Sequence, residues 1–368
     1  MANIPLVDLA AQHRQIAEEV ARGFAGILET TSFILGKEVK QFEEAFAAFV
    51  GAKHCIGVGN GTDALELALR AAGVGPGDEV ILPANTFIAT PLAVARAGAT
   101  PVLVDCDSVH YMLDVEHVAA KITPRTRAVM PVDLYGQVAP MEKLEHLATK
   151  HGIKIIEDAA QAQGAKRNGR GAGTFGDVAG TSFYPGKNLG AYGDAGAVTT
   201  DSDEIAAKVR ALRNYGSEVK YHHPETGFNS RLDTLQAAVL LAKLKRLAGW
   251  NQQRREAAAR YGELLRDTPG LTLPSTDVGN EHIWHLYVVR VPRRDEVLKK
   301  LNADGIGAGI HYPIPVHLQG AFKHLQLGLG TFPVAEKTAG EILSLPMFAE
   351  ITADQQARVA ESLRRAIA

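Results

Sequence analysis

The stretch Ile153-Lys154-Ile155-Ile156-Glu157-Asp158-Ala159-Ala160-Gln161 is an apolar run of strand length that stops at two acids and passes into small residues. Apolar residues on consecutive positions, rather than alternating ones, are what a strand covered on both faces requires. The same texture recurs at Ile56-Val58, Val80-Leu82, Pro101-Val104, Ala128-Val132 and Ala197-Thr199. Between the runs, Leu65, Ala68, Leu69 and Ala72 share one helical face, as do Leu144, Leu147 and Ala148. Strand and helix in alternation from about residue 53 to 200 predict an α/β fold with a mostly parallel sheet and helices on both sides. Ligands in such sheets bind beyond the carboxyl ends of the strands, which is where Glu157 and Asp158 fall.

Past residue 205 the texture changes. Residues 232–266 read as a helix, stopped by Pro269-Gly270. His285–Val291 reads as a strand, Asp295–Asn302 as a helix and Ile306–His311 as a further strand. Thr352 and Gln355 form a capping box for a last helix, whose Val359, Leu363 and Ile367 share a face. This is a smaller α+β unit.

Composition narrows the function. The 368 residues carry 39 basic and 41 acidic side chains, a net charge of −2, so no basic excess marks nucleic acid or an anionic membrane as partner. No run of hydrophobic types exceeds six residues, as in Ala45–Val50, which is too short to span a bilayer. The start lacks a basic stretch followed by an apolar one, and Cys55 and Cys106 are too few for a disulfide framework, so the expectation is a cytoplasmic protein. The 36 glycines are in excess and mean either tight turns or backbone that approaches a ligand closely.

Three segments carry chemistry. Gly57-Val58-Gly59-Asn60-Gly61-Thr62-Asp63 joins the first strand to a helix, so it is either a cradle for a phosphate at the helix N-terminus or a tight turn capped by Thr62. Glu157-Asp158 can hold a cationic group or answer a helix dipole. Thr181-Ser182-Phe183-Tyr184-Pro185-Gly186-Lys187 runs from a strand into a lysine among small residues, where desolvation would make the amine nucleophilic. A formal G-x-G-x-x-G at Gly171, Gly173 and Gly176 follows a polar stretch instead of a strand and reads as a surface hairpin. His282 and His285 have no acidic companions and read as structural, so no metal is expected.

An anion cradle, an acid and an amine are together the needs of pyridoxal 5′-phosphate. At this point the chain resembles the DegT/DnrJ/EryC1/StrS family of nucleotide-sugar aminotransferases, of the aspartate aminotransferase fold type. The resemblance runs nearly end to end. It rests on Ile4-Pro5-Leu6-Val7-Asp8, Gly77-Asp78-Glu79-Val80-Ile81, Thr86-Phe87, Leu134-Tyr135-Gly136, Glu157-Asp158-Ala159-Ala160-Gln161 and Phe183-Tyr184-Pro185-Gly186-Lys187-Asn188. Asn229-Ser230-Arg231-Leu232-Asp233 and His311-Tyr312-Pro313 extend it. It implies a large cofactor-binding domain over residues 1–245, with the N-terminal segment packing on a small domain over 246–368.

Matched position by position, the resemblance places the Schiff base on Lys187 and pairs Asp158 with the pyridine nitrogen. It gives Gln161 the ring hydroxyl, stacks Phe87 on the ring face, and brings the amides of Thr62 and Asp63 and the hydroxyl of Ser182 to the phosphate. Phe87 as an ordinary core residue, and Asn229 as a plain helix cap, are the alternatives the residues leave open. Asn229 would reach the phosphate of the neighbouring subunit, implying a homodimer, while Tyr184, Arg231, His311, Tyr312 and His317 would line the substrate side. The implied reaction carries an amino group from glutamate, through pyridoxamine phosphate, to a nucleotide-linked keto-sugar. The motifs look most like members acting on dTDP-3-keto-6-deoxyhexoses. UDP-linked 3-keto and 4-keto sugars, and a cofactor-binding regulator without transaminase activity, stay open. Sugar 3-dehydratases that resemble the family carry histidine where Lys187 stands.

Overall fold

A computed structural model describes residues 3–217, 219 and 221–368. The apolar runs are strands: β1 (His54–Val58), β2 (Glu79–Pro83), β3 (Thr100–Val104), β4 (Thr126–Val129), β5 (Lys154–Asp158), β6 (Val178–Ser182) and β7 (Gly196–Thr200). They form one seven-stranded sheet in the order β1-β7-β6-β5-β4-β2-β3. The neighbours from β3 through β6 pair in parallel, while β7 runs antiparallel to both β6 and β1. The consecutive apolar residues are explained by cover on both faces. Ile56, Val80 and Ile156 belong to a core shared with the helix Gly61–Ala71, whereas Ile81, Val129 and Ile155 face the helix Met141–His151.

The 32-residue helix Thr234–Leu265 passes straight through residue 245, where the sequence reading divides the chain. Its first half packs on Phe42, Phe46 and Phe183, and its second half, through Tyr261 and Leu265, on the C-terminal elements. Ile4 lies in this second cluster, its amide donating to Gly305 O at 2.9 Å. There, strands β8 (Tyr287–Arg290) and β9 (Ile342–Leu345) pair antiparallel. Alternation decides their faces: Val288 joins the core of the large sheet, while Tyr287 and Val289 pack towards the last helix, Ala353–Ile367. The Thr352–Gln355 capping box is present in both directions.

One expected strand is absent. Residues 306–311 form only isolated bridges, Ile306 with Ile4 and Gly309 with Ser344, and the true partner of β8 is β9. Gly307 explains part of this, since a Cβ there would come within 2.8 Å of the Leu6 amide, so the segment is shaped for close crossing by the N-terminal chain. The G-x-G-x-x-G begins at the end of a hairpin and spends its Gly173 and Phe175 amides on the Glu157 carboxylate. Lys166–Arg167 and Arg170–Gly171 form a hairpin whose turn residues Asn168 and Gly169 both have positive φ, 49° and 82°. Among the described residues no helix is long and apolar enough to cross a membrane.

Candidate active site

A cavity of about 580 Å³ opens at the carboxyl ends of β5 and β6, and the three chemical segments of the sequence meet in it. Thr62, Phe87, Asp158, Gln161, Ser182, Tyr184, Lys187, His311 and Tyr312 all line it.

Asp158 faces the cavity because it is the last residue of β5, and alternation sends Glu157 to the opposite face. Glu157 accepts from the amides of Gly173 and Phe175 at 2.8 and 3.0 Å, and burial together with Glu157 pushes the Asp133 carboxyl well above the usual range. Asp158 accepts from Thr90 Oγ1 at 2.8 Å and from the Ala160 amide at 3.2 Å, and Thr90 is bonded in turn to Thr86 Oγ1 at 2.7 Å. Burial raises its pKa despite these donors and the charge on Lys187. A buried carboxylate carries a desolvation cost of several kcal/mol that two neutral donors do not offset. Its chemistry therefore fits a cationic ring nitrogen.

Lys187 follows a tight turn that hangs from β6. Phe183 is fully buried with its ring edge-on to Phe42 and Phe46, each at 5.2 Å, which anchors the strand end. The chain then folds back, with Tyr184 N donating to Ser182 Oγ at 3.2 Å and Lys187 N to Tyr184 O at 2.8 Å. Desolvation in the cavity lowers the Lys187 amine to about 8, outweighing the opposing pull of Asp158.

The phosphate cradle differs in detail from the sequence reading. The helix Gly61–Ala71 is capped by Asn60, not Thr62, and Asn60 Oδ1 accepts from the Asp63 amide at 2.8 Å. That removes Asp63 from the free donors and leaves the amides of Gly61 and Thr62, which have no intrahelical partner, at the positive end of the helix dipole. The Asp63 carboxylate instead accepts from Ser230 Oγ at 2.8 Å and pairs with Arg96 at 3.1 Å. Ser182 stands beside the cradle because residue 61 is glycine: a Cβ there would lie 2.6 Å from Ser182 Cβ. Three further glycines of these motifs serve packing. A Cβ on Gly57 would strike Leu232, one on Gly190 the Pro185 backbone, and one on Gly196 the Asn60 backbone. Of Gly57, Gly59, Gly61, Gly186, Gly190, Gly193 and Gly196, only Gly61 and Gly186 line the cavity, so the glycines of these two motifs chiefly let chain segments approach one another.

Phe87 is no core residue. It is 49% exposed and leans on Tyr312, ring centroids 5.1 Å apart, forming one wall. Gln161 is clamped between two tyrosines, accepting from the Tyr135 amide at 2.7 Å and donating to Tyr312 Oη at 3.0 Å. His311 bonds Ser344 Oγ at 2.8 Å, and burial lowers its pKa to about 4.

Two expected substrate residues lie outside this cavity. His317 is 2% exposed, bonds Glu336 at 2.9 Å and packs edge-on against Phe332, which makes it a buried brace for the loop that Glu336 holds through the amides of Gly330 and Phe332. Arg231 is held by Asn214 and Asn229, with Tyr215 against its guanidinium. Asn229 is exposed and outside the cavity too, and it is no helix cap, since that position is Asp233. The sequence reading missed Thr86, Thr90, Asp194 and His285, all of which line the cavity. Thr90 was readable from the strand-helix junction after Phe87; His285, read as structural, carried no local signal. Among the described residues no His, Cys, Asp and Glu cluster suits a metal.

The profile of the DegT/DnrJ/EryC1/StrS aminotransferase family matches residues 14–364. The chain is 48% identical to a "pleiotropic regulatory protein" of Geobacillus stearothermophilus, over 98% of each chain. It is 47% identical to the dTDP-3-amino-3,4,6-trideoxy-alpha-D-glucose transaminase of Streptomyces venezuelae, over 98% of this chain and 95% of that one. It is also 47% identical to a UDP-N-acetyl-3-dehydro-alpha-D-glucosamine 3-aminotransferase of Acidithiobacillus ferrooxidans, over 99% and 98%. The crystal structure of S. venezuelae DesV in complex with a ketimine intermediate superposes with a TM-score of 0.97 at 46% identity, covering 99% of this chain and 98% of that one.

Proposed function

This chain belongs to the DegT/DnrJ/EryC1/StrS aminotransferase family and is a pyridoxal 5′-phosphate-dependent transaminase, and we propose that it moves an amino group from L-glutamate to a dTDP-linked 3-keto-6-deoxyhexose in amino-sugar biosynthesis. The observation that carries the chemistry is a desolvated lysine sharing one cavity with a buried acid that has no ion pair among the described residues. The sugar rests on relatives named for 3-amino sugars, and the UDP-linked relative keeps a UDP-linked 3-keto sugar as the second reading.

The cofactor, when bound, supplies an electrophilic carbon and an electron sink. On our reading the residues of this chain do the rest. The Gly61 and Thr62 amides and Ser182 Oγ would hold the phosphate, Asp158 would keep a proton on the ring nitrogen, and Gln161 and Phe87 would hold the ring. Lys187 Nζ would anchor the cofactor and, once free, would move the proton between cofactor and substrate. Tyr184, 59% exposed at the mouth, and His311 and Tyr312 contact the sugar.

We assign the working unit as a cytoplasmic homodimer. Phe33, Ile34, Tyr192 and Tyr215 are all exposed apolar or aromatic side chains. They lie around the start of the helix Thr234–Leu265, with Phe33 O bonded to Thr234 N, Ile34 bridged to Asp233 and the Tyr192 amide bonded to Gln236. Asn229 and Arg231 project from the same region, which suits a face that meets a second copy and completes its site.

Three experiments test this. Product mass from a panel of dTDP- and UDP-linked 3- and 4-keto sugars identifies the acceptor, and inactivity with every one of them sinks the sugar assignment. Mixing Asn229→Ala with Lys187→Ala protein should restore about a quarter of wild-type activity, because half the dimers are mixed and each has one intact site of two. No recovery refutes the shared site. Finally, only the neutral amine attacks a carbonyl, so cofactor uptake by the cofactor-free protein should accelerate as pH rises and level off above about 8. A midpoint at the ordinary lysine value of 10.5 shows instead that the amine is solvated.

A further inference from the structure

His285 is 7% exposed, lines the cavity with Lys187, and has no role in the assignments above. Its protonation is fixed by carbonyls whose chemistry leaves no choice. Gln163 O accepts from Asn251 Nδ2 at 2.9 Å, so Asn251 turns its oxygen towards Asn188 Nδ2, 2.9 Å away. Ile283 O accepts from that same Asn188 Nδ2 at 3.2 Å. The Asn188 atom 3.1 Å from His285 Nδ1 is therefore the amide oxygen, which has no hydrogen to give. Nδ1 must carry the proton, and Nε2 the lone pair. Burial and the charges on Lys187 and Arg254 keep the ring neutral. Arg254 holds the adjoining main chain, donating to Trp284 O at 3.0 Å and Met347 O at 3.1 Å. Among the described residues nothing bonds Nε2, and it is not sealed from the cavity as the orphaned Nδ1 of His317 is from solvent.

Two neighbours in the cavity have their acceptors engaged, Gln161 Oε1 by Tyr135 and Asp158 by Thr90 and Ala160, whereas the His285 acceptor is held rigidly by its bond to Asn188 and left unbonded. Glutamate offers a carboxylate beside its reacting carbon, an acceptor that a second lone pair does not serve. A ketose offers donors there. We infer that His285 determines specificity in the sugar half-reaction, its Nε2 accepting a hydrogen bond from a hydroxyl or amide N–H on the ring carbon beside the one that takes the amine. The inference rests on the sugar reading of the preceding subsection.

The test compares the two half-reactions of the holoenzyme in single turnover, followed by the visible cofactor band, in His285→Gln and His285→Phe. Glutamine keeps an acceptor where Nε2 was; phenylalanine keeps the ring volume without one. His285→Phe should slow the sugar half-reaction about tenfold to a hundredfold more than the glutamate half-reaction, with His285→Gln restoring most of the difference. Equal losses in both half-reactions, or no rescue by glutamine, overturn the inference. Nitrogen NMR of the imidazole in the wild-type protein reads the tautomer without any sugar. A protonated Nε2 overturns the acceptor assignment while leaving the transaminase reading intact. If the wild type turns over no nucleotide-linked ketose, the substrate reading falls and takes this role of His285 with it.

Discussion

Lys187→Ala is expected to lose the visible absorption of lysine-bound cofactor and to lower transamination about 10⁴-fold. The size follows from two functions leaving with one side chain. The amine that forms the covalent link is gone, and so is the base that moves the proton between cofactor and substrate. No neighbour can substitute. His285 and His311 are both held neutral and weakly basic chiefly by burial, which the substitution leaves in place, and the Asp158 carboxylate is committed to Thr90 and Ala160. Lys187→Arg should be as inactive as the alanine variant, since a guanidinium does not deprotonate in this range. A small primary amine added to Lys187→Ala should recover part of the rate by acting as a free base. Retention of both the band and the glutamate response in Lys187→Ala would refute the assignment.

Asp158→Asn is the second large effect, about 10²–10³-fold in turnover with the cofactor still bound. The amide keeps the shape and can still meet Thr90, but it cannot hold a proton on the ring nitrogen. An electron sink without that positive charge is a weaker one. The carboxylate's burial sharpens the contrast, because charge acts more strongly where water is excluded. The pH dependence has a definite sign. Burial raises the Asp158 pKa, so the cofactor-free protein loses this anion at a higher pH than an exposed aspartate would. Its affinity for the cofactor should therefore fall as pH drops into the carboxylate range. Titration of cofactor binding against pH in wild type and Asp158→Asn checks this: the asparagine variant should lack that acid limb, and an unchanged limb would assign it elsewhere.

Much of the site was readable because it is built from strand ends. Asp158 and Ser182 end neighbouring parallel strands and Lys187 sits just past the turn after the second, so their convergence needs only a parallel sheet. The cap was misread by two residues, since Asn60 and Thr62 are both good N-cap types and only the observed bond to the Asp63 amide separates them. His317 was misread because a buried histidine paired with a glutamate across a loop has the same local sequence as one facing a ligand. β9 was missed since its four residues follow a helix with no turn signal between them.

Consecutive apolar residues by themselves determined the α/β sheet, because strands buried on both faces admit no polar alternation. The positions of the acid and the lysine at strand ends likewise followed from the chain alone. Only the tertiary structure decided which side chains work together. The His285 tautomer depends on carbonyls of Gln163 and Ile283 that lie far apart in the chain, and the lowered Lys187 amine depends on the walls that exclude water from it. The glycine excess shows the same division: composition reveals the excess, and only packing separates glycines that turn the chain, as Gly169 does, from those that let other chain come close, as Gly190 and Gly196 do.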